Sequence, residues 1–205
     1  MKKVLFIDRD GTLILEPADE QIDSLEKLDF YPGIFTWLGK IAKETDYELV
    51  MVTNQDGLGT DKFPEHTFWP AHNKLMSSLE NEGIRFTEVL IDRSFEHEKK
   101  STRKPGTGLL KNYLSGNYDL KNSFVIGDRL TDIELAKNIG CKGILINDGK
   151  LADKLKNQKL ESSCSLITST WENIYLHLAN PSRIYEVKRT TKETHVATKS
   201  TRAFN

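Results

Sequence analysis

The sequence predicts an α/β fold, a Rossmann-like parallel sheet with helices on both faces. Two observations predict it. Short apolar runs alternate with segments of helical period, and the runs are continuous, the pattern of strands covered on both faces by crossover helices. Polar residues with chemistry to offer stand where those runs end, which is where an open parallel sheet forms its ligand crevice.

Taken in order, Val4–Ile7 reads as the first strand, followed at once by the turn residues Asp10-Gly11. Pro32-Gly33 opens a helix to about Thr45, with Ile34, Leu38 and Ile41 on one face. Leu49–Val52 is a fully apolar strand ending on Thr53-Asn54. Helical spacing resumes over Ala71–Glu82 and stops at Gly83. Phe86–Ile91 is a third strand, Leu109–Leu114 a short helix, and Phe124–Ile126 a fourth strand running into Gly127-Asp128. A helix from about Asp132 to Asn138 and a strand Gly143–Ile146 close the series. The tryptophans Trp37, Trp69 and Trp171 are assigned to packing. From about Arg183 the chain turns charge-dense and Thr-rich, with no helical period. The expected organisation is a domain over 1–170, a terminal helix and linker over 171–182, and a separate tail over 183–205.

Composition narrows the function class. The 205 residues carry 29 Lys+Arg against 30 Asp+Glu, a net charge of −1, which argues against nucleic-acid or membrane partners. Cys141 and Cys164 supply neither a disulfide framework nor a metal-type spacing. The apolar run after Met1-Lys2-Lys3 halts at Asp8, too short for a leader or a membrane span. The expectation is a cytoplasmic protein acting on a small molecule.

Four strand-end loops offer carboxylates, a hydroxyl and a cation to one place. Asp8 and Asp10 follow the first strand, Thr53-Asn54-Gln55-Asp56 the second, Arg103-Lys104 lies after the third, and Asp128 and Asp132 follow the fourth. Any one aspartate alone would be a helix cap or a turn residue; together they make a site. Asp8 with Asp128 suits Mg²⁺, a hard cation that accepts carboxylates, waters and phosphate oxygens. Asp10 is then left for acid–base work, Lys104 offsets phosphoryl charge, Thr53 binds its oxygens, and Asp8 is placed to attack phosphorus.

The string Asp8-Arg9-Asp10-Gly11-Thr12 resembles the first motif of the haloacid dehalogenase-like phosphatases. Thr53, Lys104 and Gly127-Asp128-Arg129-Leu130-Thr131-Asp132 match the family's other three motifs in order. The resemblance implies Mg²⁺ held by Asp8, Asp128 and the Asp10 backbone carbonyl, with Asp132 orienting its neighbours. Leu5–Ile14, Thr53–Thr60, Phe63-Pro64 and His72-Asn73 are similar to the histidinol-phosphatase branch. That branch implies hydrolysis of L-histidinol phosphate in histidine biosynthesis. Val187–Thr194 resembles the opening strand of imidazoleglycerol-phosphate dehydratase, so a dehydratase domain is expected to follow in a full-length form.

The chain departs from that branch in one loop. Relatives carry a Cys/His zinc site before Arg-Lys-Pro, whereas Asp92–Thr102 here contains no cysteine, so zinc is not expected and salt bridges with Phe95 packing should hold the loop. The spacing leaves little room for a cap domain; Glu16–Asp29 is at most a small flap. Substrate contacts are assigned to Asn54, Gln55, Asp56 and Arg103, with Glu16 or Glu96 as alternatives to Asp56. Arg103 could equally be a surface residue. His72 and His97 read as surface or satisfied side chains. The rival readings are a heptose-bisphosphate or other small phosphomonoester phosphatase, a nucleic-acid 3′-phosphatase, and a non-catalytic phosphate-binding remnant.

Overall fold

A computed structural model describes residues 1–179. The tail assigned to 183–205, with its dehydratase-like segment, lies outside the described residues, as does the end of the 171–182 segment.

Among the described residues six parallel strands form one sheet: β1 (Lys3–Ile7), β2 (Tyr47–Asn54), β3 (Phe86–Asp92), β4 (Phe124–Gly127), β5 (Lys142–Ile146) and β6 (Cys164–Thr168). Their order is β3-β2-β1-β4-β5-β6. The order reverses between β1 and β4, and the crevice outside their carboxyl ends is the natural ligand site of a doubly wound sheet. Among the described residues five α-helices connect or close the strands: α1 (Ile34–Glu44), α2 (Glu65–Asn81), α3 (Leu130–Ile139), α4 (Ala152–Asn157) and α5 (Trp171–Ala179).

Strand alternation sorts the core into two layers. Leu5, Ile7, Leu49, Met51, Ile126 and Ile144 join the apolar faces of α1, α2 and α5 in one cluster. Val4, Phe6, Val50, Val52 and Val125 face the other way, against Leu135, Ala136 and Ile139 of α3 and against Leu110 and Tyr113. Trp171 is fully buried and its indole N–H donates to the Thr12 carbonyl at 3.0 Å, which ties α5 to the loop after β1.

Four elements differ from the sequence reading. α2 begins at Glu65, runs through Pro70 and is capped by Pro64 rather than starting at Ala71. The expected helix Leu109–Leu114 is a single 3₁₀ turn, Gly108–Leu110, followed by turns. β6 and α4 had no counterpart in the reading. β6 is a short, half-exposed edge strand containing Ser165 and Thr168, so it lacks the continuous apolar run that marks its neighbours. Among the described residues no helix is long and apolar enough to cross a membrane.

Candidate active site

The loops after β1, β2, β3 and β4 converge at the switch point. The Asp8 N–H donates to the Ile126 carbonyl at 2.9 Å, extending the β1–β4 ladder by one residue and bringing Asp8 alongside the Gly127-Asp128 turn. Two glycines permit this approach. Gly11 has φ +68°, and a Cβ there would sit 2.3 Å from Asp128 Oδ2. A Cβ on Gly127 would sit 2.1 Å from the Asp132 carboxyl carbon.

Lys104 is the hub. Its buried ammonium lies 2.7 Å from Asp8 Oδ1 and 2.8 Å from Asp132 Oδ1. Burial alone would lower its pKa, but the Asp132 and Asp8 carboxylates outweigh that and hold it charged. Asp132 is completely buried at the start of α3, where its second oxygen accepts the Arg129 N–H at 3.1 Å. Asn54 secures the lysine's backbone from β2: its Oδ1 accepts the Lys104 N–H at 3.0 Å and its amide donates to the Lys104 carbonyl at 3.3 Å. Asn54 thus supports Lys104, and it also lines the cavity, where its second amide N–H is not used by these bonds.

Asp10 is held on both oxygens. Arg9 Nη1 donates to Oδ1 at 2.7 Å and Gln55 Nε2 donates to Oδ2 at 2.6 Å; the same Gln55 amide also donates to Thr53 Oγ1 at 2.9 Å. Burial raises the Asp10 pKa against the pull of Arg9. Gln55 is therefore placed on the inner carboxylate and hydroxyl as well as along the cavity wall.

Asp8, Asp128 and Asp132 present oxygens within 4.8 Å of one another. Asp128 Oδ1 is buried with no hydrogen-bond partner, and burial, followed by the charges of Asp8, Asp132 and Glu16, pushes its pKa up to about 8. Four carboxylates (Asp8, Asp10, Asp128, Asp132) face two buried cations, Lys104 and Arg9, a deficit equal to one divalent ion. An orphaned carboxylate oxygen beside two others, at that charge deficit, fits a hard dication such as Mg²⁺.

A cavity of about 580 Å³ opens above these groups. Its outer wall is charged. Arg103 Nη1 pairs with Asp56 and donates to the Ser94 carbonyl at 2.8 Å, so these two expected contacts meet each other at the mouth. The Glu16–Asp29 segment does form a flap: it is pinned by Leu15 N–H to the Asp29 carbonyl at 2.8 Å and by buried Ile22, and Glu16 bonds Arg129 at 2.7 Å. Glu16, Glu20, Asp56 and Glu96 all line the cavity.

The Asp92–Thr102 loop, where zinc is not expected, is built on Asp92. Its carboxylate accepts the Ser94 N–H at 2.9 Å, the Ser94 hydroxyl, and the Thr102 hydroxyl. Phe95 packs where a Cβ on Gly57 would sit, 2.4 Å from its ring, joining this loop to the one after β2. The Arg93–Glu65 and Lys100–Glu98 pairs are peripheral, at 2.6 and 3.8 Å. Hydrogen bonds to Asp92, rather than the expected salt bridges, organise the loop, with Phe95 packing as foreseen.

Sequence reasoning missed Arg9 and the clamp of Gln55 on Asp10. The signal for Arg9 was alternation: two residues beyond Ile7, it continues the inward-facing positions of β1. His72, read as surface or satisfied, is buried, and its Nδ1 has no partner.

Comparison with known proteins agrees with the geometry. A family model described as "HAD-hyrolase-like" matches residues 101–164. The chain is 56% identical over 197 residues to the histidine biosynthesis bifunctional protein HisB of Bacteroides fragilis, covering 95% of this chain and 52% of the relative. It is 53% identical over 204 residues to the protein of the same name from Spirosoma linguale, covering 96% and 53%. The chain thus spans about half the length of the curated relatives it matches. Among solved structures, a D,D-heptose 1,7-bisphosphate phosphatase from B. bronchiseptica, complexed with magnesium and phosphate, superposes with a TM-score of 0.75 at 22% identity, covering 89% of this chain and all of that one. A HAD-like phosphatase from Mesorhizobium loti gives 0.68 at 21% identity, covering 89% and 88%. With four strand-end motifs converging at one switch point and relatives matched along nearly its whole length, the chain belongs to the haloacid dehalogenase-like family.

Proposed function

We propose that this chain is an Mg²⁺-dependent phosphomonoester hydrolase acting on L-histidinol phosphate through an aspartyl-phosphate on Asp8. The observation that carries the reading is the joining of Asp8, Lys104 and Asp132 at an open cavity that Asp10, fixed by Gln55 and Arg9, also lines. Asp8 and Asp128, with the Asp10 carbonyl, would hold Mg²⁺, which when bound supplies positive charge against phosphoryl oxygens. Lys104 keeps the Asp8 carboxylate aimed and offsets charge on the phosphoryl group, while Thr53 binds one of its oxygens. Asp8 Oδ forms a bond to phosphorus as the ester P–O bond breaks, and the leaving alkoxide takes the Asp10 proton. The Asp10 carboxylate then takes a proton from water. The water oxygen bonds phosphorus, the acyl-phosphate bond breaks, and Asp8 returns with inorganic phosphate released.

The identity to HisB proteins supports histidinol phosphate. The cavity wall, which carries acids such as Glu16, Asp56 and Glu96 among lysines and arginines, offers partners to its ammonium and imidazole. Because Asp56 is paired with Arg103 and Glu16 with Arg129, the substrate's cation competes with an internal arginine for either acid. The same reading places the chain in the cytoplasm, with a dehydratase domain following in the full-length protein. It also does without zinc, supported by the lack of cysteine in Asp92–Thr102 and by the Asp92 hydrogen bonds that close the loop.

Phosphate release with Mg²⁺ from L-histidinol phosphate, a heptose bisphosphate and a 3′-phosphorylated oligonucleotide tests the reading. A kcat/KM highest for histidinol phosphate supports it. Preference for either other substrate keeps the chemistry and overturns the specificity, and no release from any would leave a phosphate-binding remnant.

A further inference from the structure

Arg9 is a fully buried arginine that stands between Asp8 and Asp10 in the sequence, and the cavity wall does not include it. Its Nη1 donates to Asp10 Oδ1 at 2.7 Å, its guanidinium carbon lies 4.9 Å from the Phe68 ring centre, and Nε and Nη2 have no partner. Phe68 is itself fully buried on α2 and packs edge-on against Phe63 at 5.7 Å. A buried guanidinium with two unpartnered nitrogens is a poor source of stability, so its value lies at the nitrogen that is paired. That nitrogen takes Oδ1 of Asp10. Oδ2 is left on the side of Gln55, which does line the cavity.

We propose that Arg9, lying over the Phe68 ring, is a positioning residue that fixes the Asp10 carboxyl so that Oδ2 is the oxygen presented to the leaving group. The proposal rests on the acid–base role of Asp10 given above. A lysine could not replace Arg9, since a point charge on a flexible stem neither stacks on Phe68 nor sets the direction of the N–H.

The test compares two substrates that differ in their need for a proton. The alkoxide of L-histidinol phosphate needs protonation to leave, whereas p-nitrophenyl phosphate releases a stable phenolate without it. Arg9→Met is expected to lower kcat/KM on histidinol phosphate by ~10²-fold, the usual size of an acid–base contribution, with the loss falling in kcat rather than KM. On p-nitrophenyl phosphate the loss in kcat/KM is expected to be several-fold smaller. Phe68→Leu, which leaves Arg9 but removes its platform, should show the same selectivity at lower amplitude and decides the matter if Arg9→Met does not fold. Asp10→Asn, run in parallel, should show the selectivity most strongly.

The readout is kcat/KM because it ends at formation of the aspartyl-phosphate, whereas hydrolysis of that intermediate also uses Asp10 and is common to both substrates. Equal losses in kcat/KM on both substrates, or no loss, in a folded Arg9→Met or Phe68→Leu protein overturn the role of Arg9. If Asp10→Asn remains selective in that case, the acid–base reading of Asp10 stands. Loss of selectivity in Asp10→Asn itself overturns both.

Discussion

The imidazole of His72 stacks on Phe68 with ring centres 5.1 Å apart, is 4% exposed, and has its pKa lowered to about 4 by burial and by the charge of Arg9. A histidine held neutral in the fold and free to charge when unfolded contributes stability that is present above its unfolded value of 6.5 and is lost as pH falls toward 4. The protein should therefore lose up to about 3 kcal/mol across that window, and His72→Leu should flatten the loss, as denaturant titrations at several pH values would reveal. Gly11 offers a second check. With a positive φ and the Asp128 carboxylate where its Cβ would be, Gly11→Ala displaces a carboxylate of the site, and kcat should drop ~10²-fold while the protein stays folded by circular dichroism. At this scale the strand-end positions of Asp8, Asp10, Thr53, Lys104, Asp128 and Asp132 were legible, because each follows an apolar run or sits in a motif. The partners were not. Nothing local in Asn54 or Gln55 says that one will hold the Lys104 backbone and the other the Asp10 carboxylate, since both bonds reach across about fifty residues of chain.

Helices and loops depend on such long-range packing more than strands do. Four inner strands announced themselves as unbroken apolar runs, and β2, β1, β4 and β5 fall where those runs lie. α2 begins six residues before the expected Ala71 and includes Pro70. The helix continues through it since Phe68, Ala71 and Leu75 all bury one face, and that burial offsets a lost hydrogen bond and a clash with the His66 carbonyl. Pro70 is exposed, so Pro70→Ala should stabilise the protein by about 2 kcal/mol, read as a rise in the denaturation midpoint without change in activity. The loop after β3 was read for what it lacked. Asp92 is the group that organises it, and its hydroxyl partners Ser94 and Thr102 are invisible as a set until the loop closes.

The molecule as a whole brings negative charge to its topological switch point and leaves it short of one divalent cation. Without that cation, the raised pKa of Asp128 means that the folded state keeps a proton which the unfolded chain releases near pH 4. Stability of the metal-free protein should then decline as pH rises from about 4 to about 8, and added Mg²⁺ should raise Tm more at about pH 8 than at about pH 5. The doubly wound order and the position of the crevice were legible from strand–helix alternation and from polar residues at strand ends. The edge strand β6 was not, because an edge is half-exposed and needs no apolar run.

The central claim is that Asp8 carries the phosphoryl group. Acid quench during turnover of L-histidinol phosphate, followed by mass spectrometry of the peptide containing Asp8, measures it directly. The account predicts a phosphoryl adduct on Asp8 that disappears, together with turnover, in Asp8→Asn. An adduct on another residue, or turnover that survives Asp8→Asn, would contradict it.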